Sequence, residues 1–187
     1  MAMKVEKLAI PDVLLITPDV FPDPRGFFLE SYHAERYRAA GVPGEFVQDN
    51  HSHSSRGTLR GLHFQLPHAQ AKLLYVLRGE IFDVAVDVRR GSPTFGKWVS
   101  AVLSDQNKQQ LFVPEGFAHG FCVTSEIVDV VYKCTDIYSP KDDHGVLWSD
   151  PALGIPWPVK SPTLSKKDAQ LLLLANIPEA HLPVYGR

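Results

Sequence analysis

The sequence predicts an all-β fold, a sandwich or barrel with a few short helices, on three observations. Apolar stretches are short, β-branched and aromatic residues dominate them, and 13 Gly and 15 Pro punctuate them. The 187 residues suit one domain, 1–187, able to bury a full core. No internal repeat, low-complexity tract or linker divides it. Hydrophobic residues at 44% and charged residues at 21% exclude a disordered chain.

Taken in order, a strand is expected at Phe27–Tyr32, followed by a short helix at Ala34–Ala40. Strands follow at Phe46–His51 and Thr58–Phe64. The clearest pair is Lys72–Leu77 and Ile81–Val88, joined by Arg78-Gly79-Glu80. In the second of these, Phe82, Val84, Val86 and Val88 alternate with Asp83 and Asp87, the period of a strand with one buried face. Lys97–Leu103, Gln110–Val113, Gly120–Thr124 and Ile127–Cys134 complete the strands, with Gly-Ser-Pro and Pro-Glu-Gly among the turns between them. Tyr138–Pro162, rich in Pro, Trp and Asp, reads as an ordered loop wrapping the barrel. Ser165-Lys166-Lys167-Asp168 fits a capping box before a helix at Ala169–Ala175.

Nineteen Lys and Arg against 21 Asp and Glu give a net charge of −2, which offers no electrostatic reason to expect nucleic acid or an anionic membrane. An anionic ligand must be met by locally placed Arg and Lys. No apolar run approaches the roughly 20 residues of a membrane span. The first 20 residues place charges and prolines among their apolar residues and lack a signal-peptide core. Cys122 and Cys134 cannot build a disulfide framework and read as reduced, buried small hydrophobes, so the cytoplasm is the expected compartment.

Polar residues concentrate around Gln48–His53 and Arg60–Gln65, in Pro114–Gly120, and from Tyr132 to Tyr138. His51-x-His53 places two imidazoles on one strand face, and Pro-x-Gly-x-x-His119 resembles half of a cupin metal motif. The carboxylate such a motif needs is missing, and Arg56 and Arg60 would repel a divalent cation. A polar histidine pair at a strand end, with no metal, is the expectation. His63 sits mid-strand in an apolar segment, where an imidazole needs a hydrogen-bond partner. It is either a satisfied core histidine or a base held by a carboxylate. Tyr132 shares strand parity with Val128 and Val130, and Lys72 shares a face with Leu74 and Val76. A satisfied core phenol and a lysine snorkelling to water are the plain readings of those two.

Seven segments together resemble the dTDP-4-dehydrorhamnose 3,5-epimerase family: Asp23-Pro-Arg-Gly-Phe-Phe-Leu-Glu30, Gln48-Asp-Asn-His51, Leu59-Arg-Gly-Leu-His-Phe-Gln65, Phe82-Asp-Val-Ala-Val-Asp87, Ser92-Pro-Thr-Phe-Gly96, Val113–Phe121 and Val131-Tyr-Lys133. They occur in unbroken order over nearly the whole chain. The resemblance implies a cupin-like double-stranded β-barrel (jelly roll) that works as a homodimer without metal or cofactor. Residues 1–45 would form an N-terminal strand or arm reaching the partner subunit, and 163–187 a helical C-terminal segment.

The implied reaction inverts C3 and C5 of the 4-keto-6-deoxyglucose unit of a dTDP-sugar, on the route to dTDP-L-rhamnose. By resemblance His63 matches the general base, Tyr132 the general acid on the opposite face, Asp168 the carboxylate paired with the histidine and Lys72 the lysine beside the keto group. Gln48, Asn50, Arg60, His119 and Lys167 match ligand-binding positions, and Tyr138 the residue stacking on thymine. Arg25 and Glu30 match residues lent to the partner's site. Asp143 stands where Glu also occurs in the family and has the shorter reach. Strict alternation points Arg60 away from the face of His63, so either Gly61 marks a bulge or the arginine reaches around the strand edge.

The chemistry suits these groups. Hydrogens at C3 and C5 are acidic because the C4 ketone accepts their electrons as an enolate, which a nearby lysine stabilises where charge develops. Histidine, with an ordinary pKa of about 6.5, is neutral yet basic near pH 7, and tyrosine at about 10 still carries the proton that an enolate carbon needs. The chain lacks a Gly-rich dinucleotide fingerprint, consistent with proton transfer alone. Three alternatives remain: a relative that inverts one carbon or isomerises the keto group, a metal-dependent cupin enzyme on His51, His53 and His119, and a non-catalytic sugar-nucleotide binder.

Overall fold

A computed structural model describes residues 3–42 and 45–186, so the two ends of the 1–187 span lie outside the described residues. Thirteen strands are found there: β1 (Met3–Lys7), β2 (Leu14–Pro18), β3 (Val20–Asp23), β4 (Gly26–Leu29), β5 (Gln48–Ser55), β6 (Leu59–Gln65), β7 (Lys72–Arg78), β8 (Glu80–Asp87), β9 (Trp98–Ser104), β10 (Gln110–Val113), β11 (Phe117–Val123), β12 (Ile127–Cys134) and β13 (Asp143–Gly145). One α-helix, α1 (Ala34–Ala39), follows β4. The all-β class holds. Six strands pair in the order β1-β2-β10-β7-β12-β5 and five in the order β13-β6-β11-β8-β9, while β3 and β4 form a separate hairpin. No pairing joins the two large sheets among the described residues, so the jelly roll is an open sandwich rather than a closed barrel.

Three apolar clusters hold it together. The first fills the space between the sheets, with Leu74, Val76, Val128 and Val130 from one side facing Ile81, Ala85, Phe121 and Val123 from the other. The second covers the outer face of the five-stranded sheet, where Leu153, Leu174, Ile177 and Leu182 pack on Leu62, Phe64, Val84 and Val86. The third covers the outer face of the six-stranded sheet, where Tyr37 of α1 and Val42 pack on Leu14, Ile16, Leu73 and Phe112. Each fully buried aliphatic side chain contributes about 1.5–3 kcal/mol.

That double covering corrects the expectation for β8. Phe82, Val84 and Val86 do alternate with Asp83, Ala85 and Asp87, but both faces are buried. The aspartates lie on the inner face and are fully shielded from solvent. Asp87 is satisfied by the turn after it, accepting from Arg89 Nε at 2.9 Å, Ser92 Oγ at 2.5 Å and Thr94 Oγ1 at 2.6 Å. The Ser92–Gly96 motif is therefore a turn pinned to a buried carboxylate.

The expected helix at Ala34–Ala40 is α1, capped by His33, whose Nδ1 accepts from the Arg36 amide. The one expected at Ala169–Ala175 is not formed, and the C-terminal segment instead makes 3₁₀ turns at Asp168–Gln170, Leu174–Asn176 and Glu179–His181. Ser165 Oγ accepts from the Asp168 amide at 3.0 Å just before the first, while the Asp168 carboxylate turns to His63 of β6. In the N-terminal segment, β1 and β2 are strands of the chain's own six-stranded sheet.

Candidate active site

At one end of the sandwich the aliphatic core gives way to polar side chains. Register places Lys72, Cys134 and Gln48 side by side there, at the ends of β7, β12 and β5. Two adjoining cavities of about 310 and 250 Å³ share His63, Lys72, Tyr132, Tyr138 and Asp143 and form two lobes of one cleft. Period-two alternation supplies one wall. Asn50 and Ser52 of β5, Tyr132 of β12 and Lys72 of β7 all point inward, on the face that carries Leu74 and Val130.

The opposite wall comes from the five-stranded sheet. Opposite β11, His63 pairs with His119 but Arg60 pairs with Phe121, so β6 carries one extra residue there. Gly61 takes up that bulge at φ +128°, and a Cβ on it would lie 2.5 Å from the Gly120 Cα. The bulge brings Arg60 into the same cavity lining as His63, which settles the alternation problem.

His63 Nε2 lies 2.7 Å from Asp168 Oδ1, so the buried carboxylate holds the ring and leaves Nδ1 as the nitrogen without a partner among the described residues. Burial works to raise the Asp168 carboxyl. His63, Ser165 and the Gly61 amide outweigh it and hold the carboxyl below its ordinary range. Tyr132 stands on the opposing sheet, and burial pushes its phenol above the ordinary value, so it carries its proton at neutral pH. Burial also lowers the Lys72 ammonium, against the pull of Asp143 and Asp83. Lys72 and Arg60 make no ion pair among the described residues; the Arg60 Nε donates to Ser54 Oγ at 3.1 Å.

Two polar residues, Asp83 behind the cleft wall and Ser52 in it, escaped the sequence reading. His119 is buried, with Nε2 3.0 Å from each oxygen of Asp83. Ser52 Oγ is the one buried side-chain polar atom without a partner among the described residues, and Ser52 lines the cleft. Strand parity with Asn50 could have found Ser52, whereas Asp83 was hidden by the assumption of a solvent face on β8.

The rim carries the remaining ligand-site residues. Tyr138 is about half exposed, and its hydroxyl donates to Asp143 at 2.7 Å, which helps push its pKa up to about 12. Lys167 pairs with the same Asp143 carboxylate, so the short side chain does reach the site. Gln48 joins the rim to the strand: its Nε2 donates to Asn50 Oδ1 at 3.0 Å and its Oε1 accepts from the Tyr138 amide at 2.8 Å.

Two expected site residues are not brought in. Arg25 projects from the β3–β4 hairpin and pairs with Asp23, and Glu30 pairs with Arg36; neither lines the cleft of its own chain. His51 and His53 face outward and share Asp129 Oδ1 at 3.1 and 2.9 Å, while His119 faces inward to Asp83. The three imidazoles do not converge. Among the described residues, no three His, Cys, Asp or Glu side chains are grouped to hold a metal.

Residues 7–176 match the family model for dTDP-4-dehydrorhamnose 3,5-epimerase. The chain belongs to the dTDP-4-dehydrorhamnose 3,5-epimerase family. Its members include the Shigella flexneri enzyme of that name, 56% identical over 168 residues, 89% of this chain and 93% of the relative. A crystal structure of the dTDP-6-deoxy-D-glucose-3,5-epimerase from Legionella pneumophila, in complex with dTDP-4-keto-L-rhamnose, superposes with a TM-score of 0.97 at 48% identity over 100% of both chains. A dTDP-4-dehydrorhamnose 3-epimerase from Streptomyces niveus is 43% identical over 187 residues, 98% of this chain and 90% of the relative. Membership in the epimerase family places the chain among the isomerases.

Proposed function

We propose that the chain inverts C3 and C5 of dTDP-4-dehydro-6-deoxy-D-glucose to give dTDP-4-dehydro-L-rhamnose, in dTDP-L-rhamnose biosynthesis. One observation carries the assignment of roles: His63, held at 2.7 Å by buried Asp168, faces Tyr132 across a cleft between opposing sheets. His63 Nδ1 removes the proton from C3 or C5, and Asp168 stabilises the imidazolium formed. Lys72 stabilises the enolate oxygen at C4. Tyr132 returns a proton to the other face of the same carbon, which inverts it. Arg60 and Lys167, cations lining the same cavity, suit a diphosphate. Tyr138 stacks on thymine, while Gln48, Asn50, His119 and Asp143 hold the remaining polar groups. No cofactor takes part in this scheme.

The working form is a homodimer completed by strand exchange. In support, the β3–β4 hairpin belongs to neither large sheet and exposes Phe21, Phe27 and Phe28. Arg25 and Glu30 beside it reach a substrate only in a neighbour's cleft. The compartment is the cytoplasm; two free, buried cysteines support that reading, as does the lack of a helix long and apolar enough to cross a membrane among the described residues.

The test is product stereochemistry by NMR after incubation with dTDP-4-keto-6-deoxyglucose. Inversion at both carbons is expected. The Streptomyces niveus relative favours a second reading, inversion of C3 alone, and a product unchanged at C5 would establish it.

A further inference from the structure

Beside the pair formed by His63 and Asp168, the same wall carries a second histidine–carboxylate pair that the scheme above leaves unexplained. His63 and His119 are directly paired residues on neighbouring strands, so their side chains stand about 5 Å apart on one face. Both line the cleft, and both turn Nε2 toward an aspartate, Asp168 in one case and Asp83 in the other. Asp83 itself does not line the cleft. It lies behind His119 on the inner face of β8, fully shielded, with His119 as its hydrogen-bond partner.

Burying a carboxylate there is costly, and apolar Ile81 and Ala85 flank it on the same face. A structural role would be served as well by an aliphatic side chain, which would extend the core cluster. The geometry instead fits an ionised acceptor: Nε2 lies 3.0 Å from both oxygens, the position of one N–H shared between the two halves of a carboxylate. Burial raises the Asp83 carboxyl, and the groups that work against it are the His119 ring beside it and the Lys72 ammonium on the facing sheet.

We infer that Asp83 is a positioning residue for the epimerisation: it fixes His119 with Nε2–H turned inward, so that Nδ1 faces a sugar oxygen beside the reacting carbon. The inference rests on the reading of the cleft as an epimerase site. His119 then serves the chemistry rather than the nucleotide, because it stands directly beside the proposed base. Asp83 acts only through it.

Two measurements on the full-length protein test this. The first is kinetic. Asp83→Asn should lower kcat about 10- to 100-fold with KM changed less than about threefold. In a His119→Asn background the same change should cost nothing further, since Asp83 would have nothing left to orient. Wild-type kcat in Asp83→Asn, or losses that multiply in the double variant, would overturn the inference. The second needs no variant and survives a failure of Asp83→Asn to fold. Nitrogen-15 NMR of histidine-labelled wild-type protein should show His119 with a protonated Nε2. A neutral ring protonated only at Nδ1 would mean that Asp83 donates as a carboxylic acid, and would contradict the account. If the wild-type protein fails to epimerise the sugar, the functional reading falls, while the His119 tautomer still reports on Asp83.

Discussion

The Tyr132 ring packs against the interior cluster, while its hydroxyl makes no hydrogen bond among the described residues. That division makes Tyr132→Phe an informative substitution, because it removes the proton donor and leaves the packing. Stability should stay within about 0.5 kcal/mol. Product formation should fall at least about 100-fold, while solvent exchange at the reacting carbons persists, since His63 can still form the enolate. Equal loss of exchange and product would assign the phenol to deprotonation instead. At this scale much was legible. Period two alone placed Tyr132 with Val130 and Lys72 with Leu74 on the inner face. What alternation could not show is that an inward lysine faces a cleft rather than core, because that depends on where the opposing sheet ends. The partnership of His63 with Asp168 spans 105 residues, and only the family resemblance suggested it.

Elements supply the precision that the residues need, and the bulge in β6 is the clearest case. With regular alternation Arg60 would leave the cleft; with the extra residue at Gly61 it lines the cleft beside His63. Gly61→Ala meets backbone at 2.5 and 2.8 Å, at a φ that side chains rarely adopt. It should cost about 2 kcal/mol or more and, in any folded fraction, weaken substrate binding through Arg60. A thermal melt at the wild-type temperature would contradict this.

The turn after β8 offers a pH test. Burial tends to raise the Asp87 carboxyl, but Arg89, Ser92 and Thr94 hold it below its ordinary value. A lowered folded-state pKa means stability present above the unfolded value of about 3.9 and lost as pH falls through the folded one. Asp87→Asn should therefore cost roughly 1–3 kcal/mol at pH 7, with the difference from wild type shrinking below about pH 4. A gap that stays constant down to pH 2 would contradict the assignment. Sequence reasoning saw the Ser92–Gly96 motif but not its anchor, for the reason that also hid Asp83. A strand with aspartates on one face reads as half exposed, unless one knows that a second sheet and a C-terminal segment will cover both sides.

For the whole molecule, the proposed strand exchange turns on the exposed β3–β4 hairpin, which belongs to neither large sheet. On the proposed reading Arg25 and Glu30 act in the cleft of another copy. Mixing inactive Arg25→Ala with inactive His63→Asn under subunit exchange should restore part of the activity, because heterodimers would hold one cleft carrying both lesions and one carrying neither. A mixture that exchanges yet stays inactive would return Arg25 to its own subunit. The N-terminal strands β1 and β2 were illegible in the sequence because charges and prolines interrupt their apolar residues, though each finds its pairing in the six-stranded sheet.

In the proposed mechanism one base and one acid, on opposing sheets, process both carbons. Deuterium content at C3 and C5 of the sugar, read by NMR after incubation in deuterated water, tests it most directly. Wild-type protein should introduce deuterium at both carbons, and His63→Asn, folded and still binding dTDP, should introduce it at neither. Substantial labelling of either carbon by His63→Asn would show that another base acts there and would contradict the account.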